Sequence, residues 1–170
     1  MNERKGYFRI RSLRAENLRQ SRNMLTQKVM GYHGEASTEV DCSRFSNGQR
    51  AGLLCTGNTY NAIGAARIDD KDYIYTESNG VAELITELKS NIVYFKVSLD
   101  SENNQYLLYY SFDNKAFIPC VEPFSIYSSD WKGARIGLFS YNTGGNVGIA
   151  DFNWFRYSFD GATEKHIVRN

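Results

Sequence analysis

Hydrophobic and polar residues alternate with a period of two along most of this chain. The clearest case is Ile92–Asp100, where Val93, Phe95, Val97 and Leu99 fall on one side and Tyr94, Lys96 and Ser98 on the other. That pattern marks a strand with one face on a core. Gly6–Leu13 sets Phe8 and Ile10 against Arg9 and Arg11, and Ala36–Cys42 alternates in the same way. Further strands are predicted at Arg22–Met30, Arg50–Thr56, Tyr60–Ile68, Tyr73–Thr76, Val81–Leu88, Gln105–Phe112 and Ala116–Val121. Turn residues separate them: Ser46-Asn47-Gly48, Ser78-Asn79-Gly80, Ser101–Asn104 and Asp113-Asn114-Lys115. Ala15–Gln20 reads as a loop or a short helical turn, and Gly31–Glu35 as a loop.

The stretch from Trp131 to Tyr157 organises the rest. It predicts a strand at Arg135–Asn142, a turn at Thr143-Gly144-Gly145-Asn146 and a second strand at Val147–Tyr157. Read as a hairpin, its second strand points Phe152 and Trp154 one way and Phe155 and Tyr157 the other. Apolar side chains on both faces imply a strand covered on both sides. With no helix-period segment, the chain predicts an all-β fold: an antiparallel two-sheet β-sandwich of jelly-roll type.

Several of these segments carry a resemblance. Arg135-Ile136-Gly137-Leu138-Phe139-Ser140-Tyr141-Asn142-Thr143, followed by Ala150-Asp151-Phe152-Asn153-Trp154-Phe155-Arg156-Tyr157, resembles the end of the C-terminal domain of glycoside hydrolase family 43. Gly6–Ile10, Arg22–Lys28, Arg50–Leu53 and Tyr109–Asp113 with Phe117-Ile118-Pro119 resemble other parts of it in the same order. The resemblance runs from about Tyr7 to Tyr157. Ser21, Tyr32 and Asn47 depart from it, standing for an alanine, a proline and an aspartate.

The resemblance implies a concanavalin A-like sandwich appended to the catalytic propeller of β-xylosidases and α-L-arabinofuranosidases. The catalytic carboxylates of those enzymes belong to the propeller, so none is expected here. The implied role is a non-catalytic accessory domain that packs on a propeller and shapes its active-site rim. The alternative is a free-standing carbohydrate-binding module, with plant-polysaccharide oligosaccharides as partners. In the family, a further strand precedes the one equivalent to Gly6–Leu13. Residues 1–160 are therefore expected to form a single sandwich lacking its first strand, followed by a flexible tail at 161–170. Related xylosidases send a loop aromatic toward the active site, and Trp131 falls about where that loop lies.

Composition narrows the remaining chemistry. Aromatics make up 14% of the 170 residues, and the formal charge is +1. That balance predicts no nucleic-acid partner and no membrane partner. The basic residues Arg4, Lys5, Arg9, Arg11, Arg14, Arg19, Arg22 and Lys28 crowd the N-terminal segment, read as a solvated face with loop charges. Asp69-Asp70-Lys71-Asp72 reads as a hairpin tip, not a catalytic pair. Cys42, Cys55 and Cys120, odd in number and without paired spacing, read as free thiols. No cofactor is implied, although Asp151 is a candidate ligand for a structural calcium. Trp131, Tyr127, Tyr32 and His33 are the candidate contacts for a sugar or a partner domain. The segment MNERKGYFRI lacks the apolar core of a signal peptide, and no run has transmembrane length. Localisation, in a bacterial cytoplasm or periplasm, would depend on sequence upstream.

Overall fold

A computed structural model describes residues 3–127 and 133–161. The strands follow in chain order as β1 (Phe8–Arg11), β2 (Leu13–Arg14), β3 (Met24–Lys28), β4 (His33–Asp41), β5 (Gln49–Thr56), β6 (Tyr60–Ile68) and β7 (Lys71–Ser78). They continue as β8 (Val81–Glu87), β9 (Ile92–Asp100), β10 (Gln105–Ser111), β11 (Ile118–Pro119), β12 (Arg135–Asn142) and β13 (Ile149–Phe159). A 3-10 turn at Leu18–Gln20 is the one helical element among the described residues. Two sheets result. The first has the order β1-β13-β4-β9-β10-β11, and the second β2-β12-β5-β6-β7-β8, with β3 also on β12. Every pairing is antiparallel except β2 with β12, which is parallel. The expected two-sheet sandwich is what the chain forms.

The main core lies between the sheets. Val93, Phe95, Val97 and Leu99 of β9 are buried, as their alternation requires, against Leu53, Ile63, Ile74, Ile136 and Leu138 of the other sheet. A second core covers the outer face of the seven-stranded sheet. There Leu18 and Ala15 lie on Leu54, Ala62, Tyr75, Phe139 and Tyr141. β5 and β6 are thus covered on both faces, which explains their nearly unbroken apolar sequence. Asp69 and Asp70 carry φ of 48° and 63° at the tip between β6 and β7, the geometry of a tight hairpin reversal.

Two expectations need correction. First, β12 and β13 do not form a hairpin: β12 belongs to the seven-stranded sheet and β13 to the six-stranded one. The Gly144-Gly145 turn carries the chain across the sandwich. At the same end the segment expected as one strand, Gly6–Leu13, also changes sheet, from β1 to β2 at Ser12. The two crossings are tied together. Ser12 N–H donates to Gly148 O at 2.9 Å, and Gly148 N–H donates to Ser12 Oγ at 2.8 Å. Gly148 is required there, since a Cβ would fall 1.7 Å from Gln49 Oε1.

Second, Phe152 and Trp154 do not share a face. The β13–β4 register slips between them, leaving Asn153 as an extra residue. A bulge of this kind exchanges the two faces of a strand. Phe152 is fully buried, and beyond the bulge Phe155 and Tyr157 pack on the main core. Trp154 turns outward and stacks on Tyr94, with ring centroids 6.3 Å apart.

Candidate functional site

One end of the sandwich gathers the starts of β4, β6 and β12 with the ends of β5, β9 and β13, and with them three of the four sequence candidates. His33 is the first residue of β4 and not part of a loop, as its pairing with Asp100 shows. Tyr32 precedes it, and its carbonyl accepts from Ser101 N–H at 2.7 Å. Tyr127 belongs to the segment after β11, whose Phe124 exchanges two backbone bonds of 2.9 Å with Tyr106. Asn58 N–H donates to Tyr127 O at 2.9 Å, and Ile126 N–H donates to Asn104 Oδ1 at 3.0 Å. The turn Ser101–Asn104 therefore touches both the Tyr32 and the Tyr127 segments. Trp131, the fourth candidate, lies outside the described residues, as do residues 162–170 of the expected tail.

His33 is the electrostatic centre of this end. Its Nδ1 is 3.1 Å from Asp160 Oδ2, and its Nε2 is 3.6 Å from Asp100 and 3.9 Å from Glu102. Asp160 also accepts from the backbone N–H groups of Tyr32 (2.6 Å) and His33 (3.0 Å) through Oδ1. Those bonds hold the Asp160 carboxyl down at about 2. The hydrogen bond to Asp160, with Asp100 and Glu102 nearby, pushes the His33 imidazolium up from its ordinary value. Sequence alone did not reveal this cluster, because its members stand far apart in the chain. Around it lie exposed apolar side chains: Tyr127 at 63%, Met30 at 51% and Phe159 at 47%. Tyr157 joins them, accepting from Met30 N–H at 2.8 Å and donating to Met30 O at 2.7 Å.

Asp151, the candidate calcium ligand, lies far from this end. It is buried, and both of its oxygens are engaged by arginines. Arg9 donates from Nε to Oδ1 at 2.7 Å and from Nη2 to Oδ2 at 2.8 Å, and Arg4 Nη1 donates to Oδ2 at 2.9 Å. The same Arg4 nitrogen reaches Asp41 Oδ2 at 2.6 Å. Burial alone would raise the Asp151 carboxyl, but the two guanidiniums outweigh it and hold it below the ordinary range. Much of the basic crowding near the N-terminus is thereby accounted for, since Arg11 in turn pairs with Glu3 at 2.7 Å. No group of three or more His, Cys, Asp or Glu residues is disposed to hold a metal among the described residues.

A second buried carboxylate is structural. Glu77 accepts from Tyr60 Oη at 2.5 Å and from Leu18 N–H at 3.0 Å through Oε1. Tyr141 Oη donates to its Oε2, and Arg50 Nη1 stands 3.6 Å from the same atom. This hub pins the 3-10 turn onto the outer face of the seven-stranded sheet. Of the carboxylates at these three places, each has a defined partner in the fold.

The comparisons with known proteins agree with this architecture. The sequence profile of the β-xylosidase C-terminal concanavalin A-like domain matches residues 1–158. The chain is 36% identical over 137 residues to the "Putative beta-xylosidase" of Xylanibacter ruminicola, covering 81% of this chain and 25% of that protein. It is 34% identical over 143 residues to the "Beta-xylosidase" of Formosa agariphila, covering 82% and 24%. Its fold superimposes with a TM-score of 0.86 on a solved structure described as a bifunctional GH43-CE protein of Bacteroides eggerthii, at 27% identity, over 94% of this chain and 22% of that one. The chain thus spans about a quarter of the length of the curated relatives it matches. With residues 1–158 of its 170 matched by the profile and two sheets closed at Ser12 and Gly148, this chain belongs to the family of β-xylosidase C-terminal concanavalin A-like domains, which accompany glycoside hydrolases of family 43.

Proposed function

We propose that this chain is the non-catalytic accessory domain of a family 43 glycosidase acting on xylan- or arabinan-derived oligosaccharides. In this reading it packs on a catalytic propeller and completes the rim of its active site. The observation that carries the proposal is coverage: the C-terminal domain family matches nearly the whole of this chain, which spans about a quarter of each β-xylosidase relative. The candidate end of the sandwich supports it. Tyr127, Met30 and Phe159 are exposed apolar anchors beside a polar rim of His33, Asp100, Glu102 and Asp160. A few aromatic anchors within a polar rim is the composition of a docking surface. Tyr32, His33, Tyr127 and Trp131 are the residues assigned to that contact. The carboxylates described above serve the fold: Asp151 and Asp41 hold arginines, and Glu77 holds tyrosines.

The test has two arms. The isolated chain should hydrolyse neither aryl-xyloside nor aryl-arabinoside. In an enzyme that carries this domain with a propeller, Trp131→Ala should lower kcat/KM while the melting of this domain stays unchanged. Turnover by the isolated chain that disappears with an Asp or Glu point variant would overturn the proposal. So would a Trp131→Ala enzyme of undiminished kcat/KM.

A further inference from the structure

The bulge at Asn153 shapes the outer face of the six-stranded sheet. Beyond it, β13 sends Trp154 and Arg156 away from the core. The pairing register aligns Arg156 with Ser37 of β4, and Ser37 with Lys96 of β9. Ser37 is small, and its neighbours are tall. A trough of about 400 Å³ results, lined by Glu35, Ser37, Lys96, Asn114, Phe117 and Trp154. Its volume falls within the range of small-molecule sites, roughly 300–1,000 Å³.

The walls of this trough are aromatic. Trp154 stands on one side, braced from behind by the Tyr94 ring. Phe117 stands on the other, and the Lys96 ammonium lies 4.6 Å from its centroid. The Arg156 guanidinium lies 4.5 Å from the Trp154 ring. Across the floor, Glu35 Oε2 and Lys96 Nζ are 3.6 Å apart. Acceptors and donors therefore converge between two apolar ring faces: Glu35 accepts, Lys96 and Arg156 donate, and Asn114 does both. Core packing does not call for Trp154 here, because Phe155 fills the core place beyond the bulge. Bulges often re-aim a side chain at a functional position.

We propose that this trough is a binding site for a neutral oligosaccharide of pyranose units. The C–H face of one ring stacks on Trp154 in place of the exposed Arg156 guanidinium, and its hydroxyls bond to Glu35, Lys96 and Asn114. Glu35 pairs with Lys96 and leaves Arg156 as the one unbalanced charge of the lining, too weak a field to require an anionic ligand. An open trough of this size takes a chain from the side and holds it weakly, with Kd near a millimolar. The trough adjoins the end assigned to docking, since Tyr157 lines it and also holds Met30, but the proposal does not depend on that assignment.

The test is titration of the isotope-labelled 170-residue chain with xylohexaose and cellohexaose, followed by backbone amide NMR shifts. The expected result is a saturable response confined to β13 beyond Asn153, the first half of β4 and the middle of β9. Trp154→Ala should weaken it at least about tenfold, a loss of about 1.4 kcal/mol. Phe117→Ala and Ser37→Leu, which remove the other wall and fill the floor, serve as second variants should Trp154→Ala not fold. No response at these amides up to about 10 mM of either ligand, ten times a millimolar Kd, would overturn the proposal. A response only to oligosaccharides bearing a uronic acid, or one untouched by the variants, would overturn it too.

Discussion

Substituting Phe152 and Trp154 separately tests the bulge that decides the faces of β13. Both are large aromatics two residues apart, and plain alternation would give both the same cost. In the structure Phe152 has no exposed surface and packs with Ile10, Val40 and Ala150 in the main core. Removing a buried ring of this size costs about 3–5 kcal/mol. Trp154 stands on the outer face. Its contributions are the stack on Tyr94, worth about 0.5–1.5 kcal/mol, and the Arg156 guanidinium over its ring, worth about 0.5–1 kcal/mol. Together they amount to about 1–2.5 kcal/mol. Urea unfolding followed by far-ultraviolet circular dichroism reads the difference. With a slope of about 2 kcal/mol/M, Phe152→Ala should lower the midpoint by about 1.5–2.5 M and Trp154→Ala by about 0.5–1.25 M. Equal losses, or a larger loss for Trp154→Ala, would refute the assignment of Asn153 as the extra residue.

Glu77→Ala leaves two tyrosine hydroxyls and the Leu18 amide without their acceptor, so it should cost about 3–5 kcal/mol in denaturant unfolding, and the Leu18 amide should lose its hydrogen-exchange protection. The His33–Asp160 clasp depends on pH at both limits. The raised His33 makes its contribution fully present below its unfolded value of about 6.5 and lost as pH rises through the folded value. The lowered Asp160 makes its contribution fully present above about 3.9 and lost as pH falls through its folded value. Proton NMR titration of His33 should show an elevated pKa that returns to the ordinary range in Asp160→Asn; an unshifted His33 in the parent chain would refute the clasp. All three cysteines are unpaired, with Cys42 and Cys55 buried and burial pushing the Cys120 thiol up to about 12. A thiol reagent at neutral pH should react slowly with the native chain and find all three in denaturant; finding one would reveal a disulfide.

The parts of this fold legible in the sequence are those where one strand has one buried face. β9 is the plainest, because Val93, Phe95, Val97 and Leu99 meet the core while Tyr94 and Lys96 do not. Tight turns were legible too, since Asp69-Asp70 and Asn79-Gly80 adopt the positive φ that such residues tolerate. The partner sheet of a strand was not. A glycine pair permits a reversal equally within one sheet or across two, and only the pairing of β12 with β5 and of β13 with β4 distinguishes them. The bulge was hidden for a related reason. Aromatics on both sides of Asn153 keep the sequence apolar in either parity, so no residue announces the slip. For the same reason the trough beside Trp154 could not be anticipated. The acids around His33 were visible singly, but β4, β9 and β13 bring them together only in the folded chain.

The pairing of the first strand with the last has a consequence for synthesis. Phe8 lies opposite Phe152, and Leu13 lies opposite Tyr141. At about 5–20 residues per second, β1 leaves the ribosome roughly 7–30 s before its partner exists. Strands that neighbour each other in sequence can pair within about 10 μs of emerging, so β5 to β8 have ample time to form. The six-stranded sheet does not. Until β13 arrives, β1 has no neighbour, β4 is an open edge, and Arg9 has no buried carboxylate to hold. Completion of this domain is thus a single late event in translation. A ribosome stalled before residue 149 should present a half-built sandwich whose apolar inner face is open to chaperones and proteases.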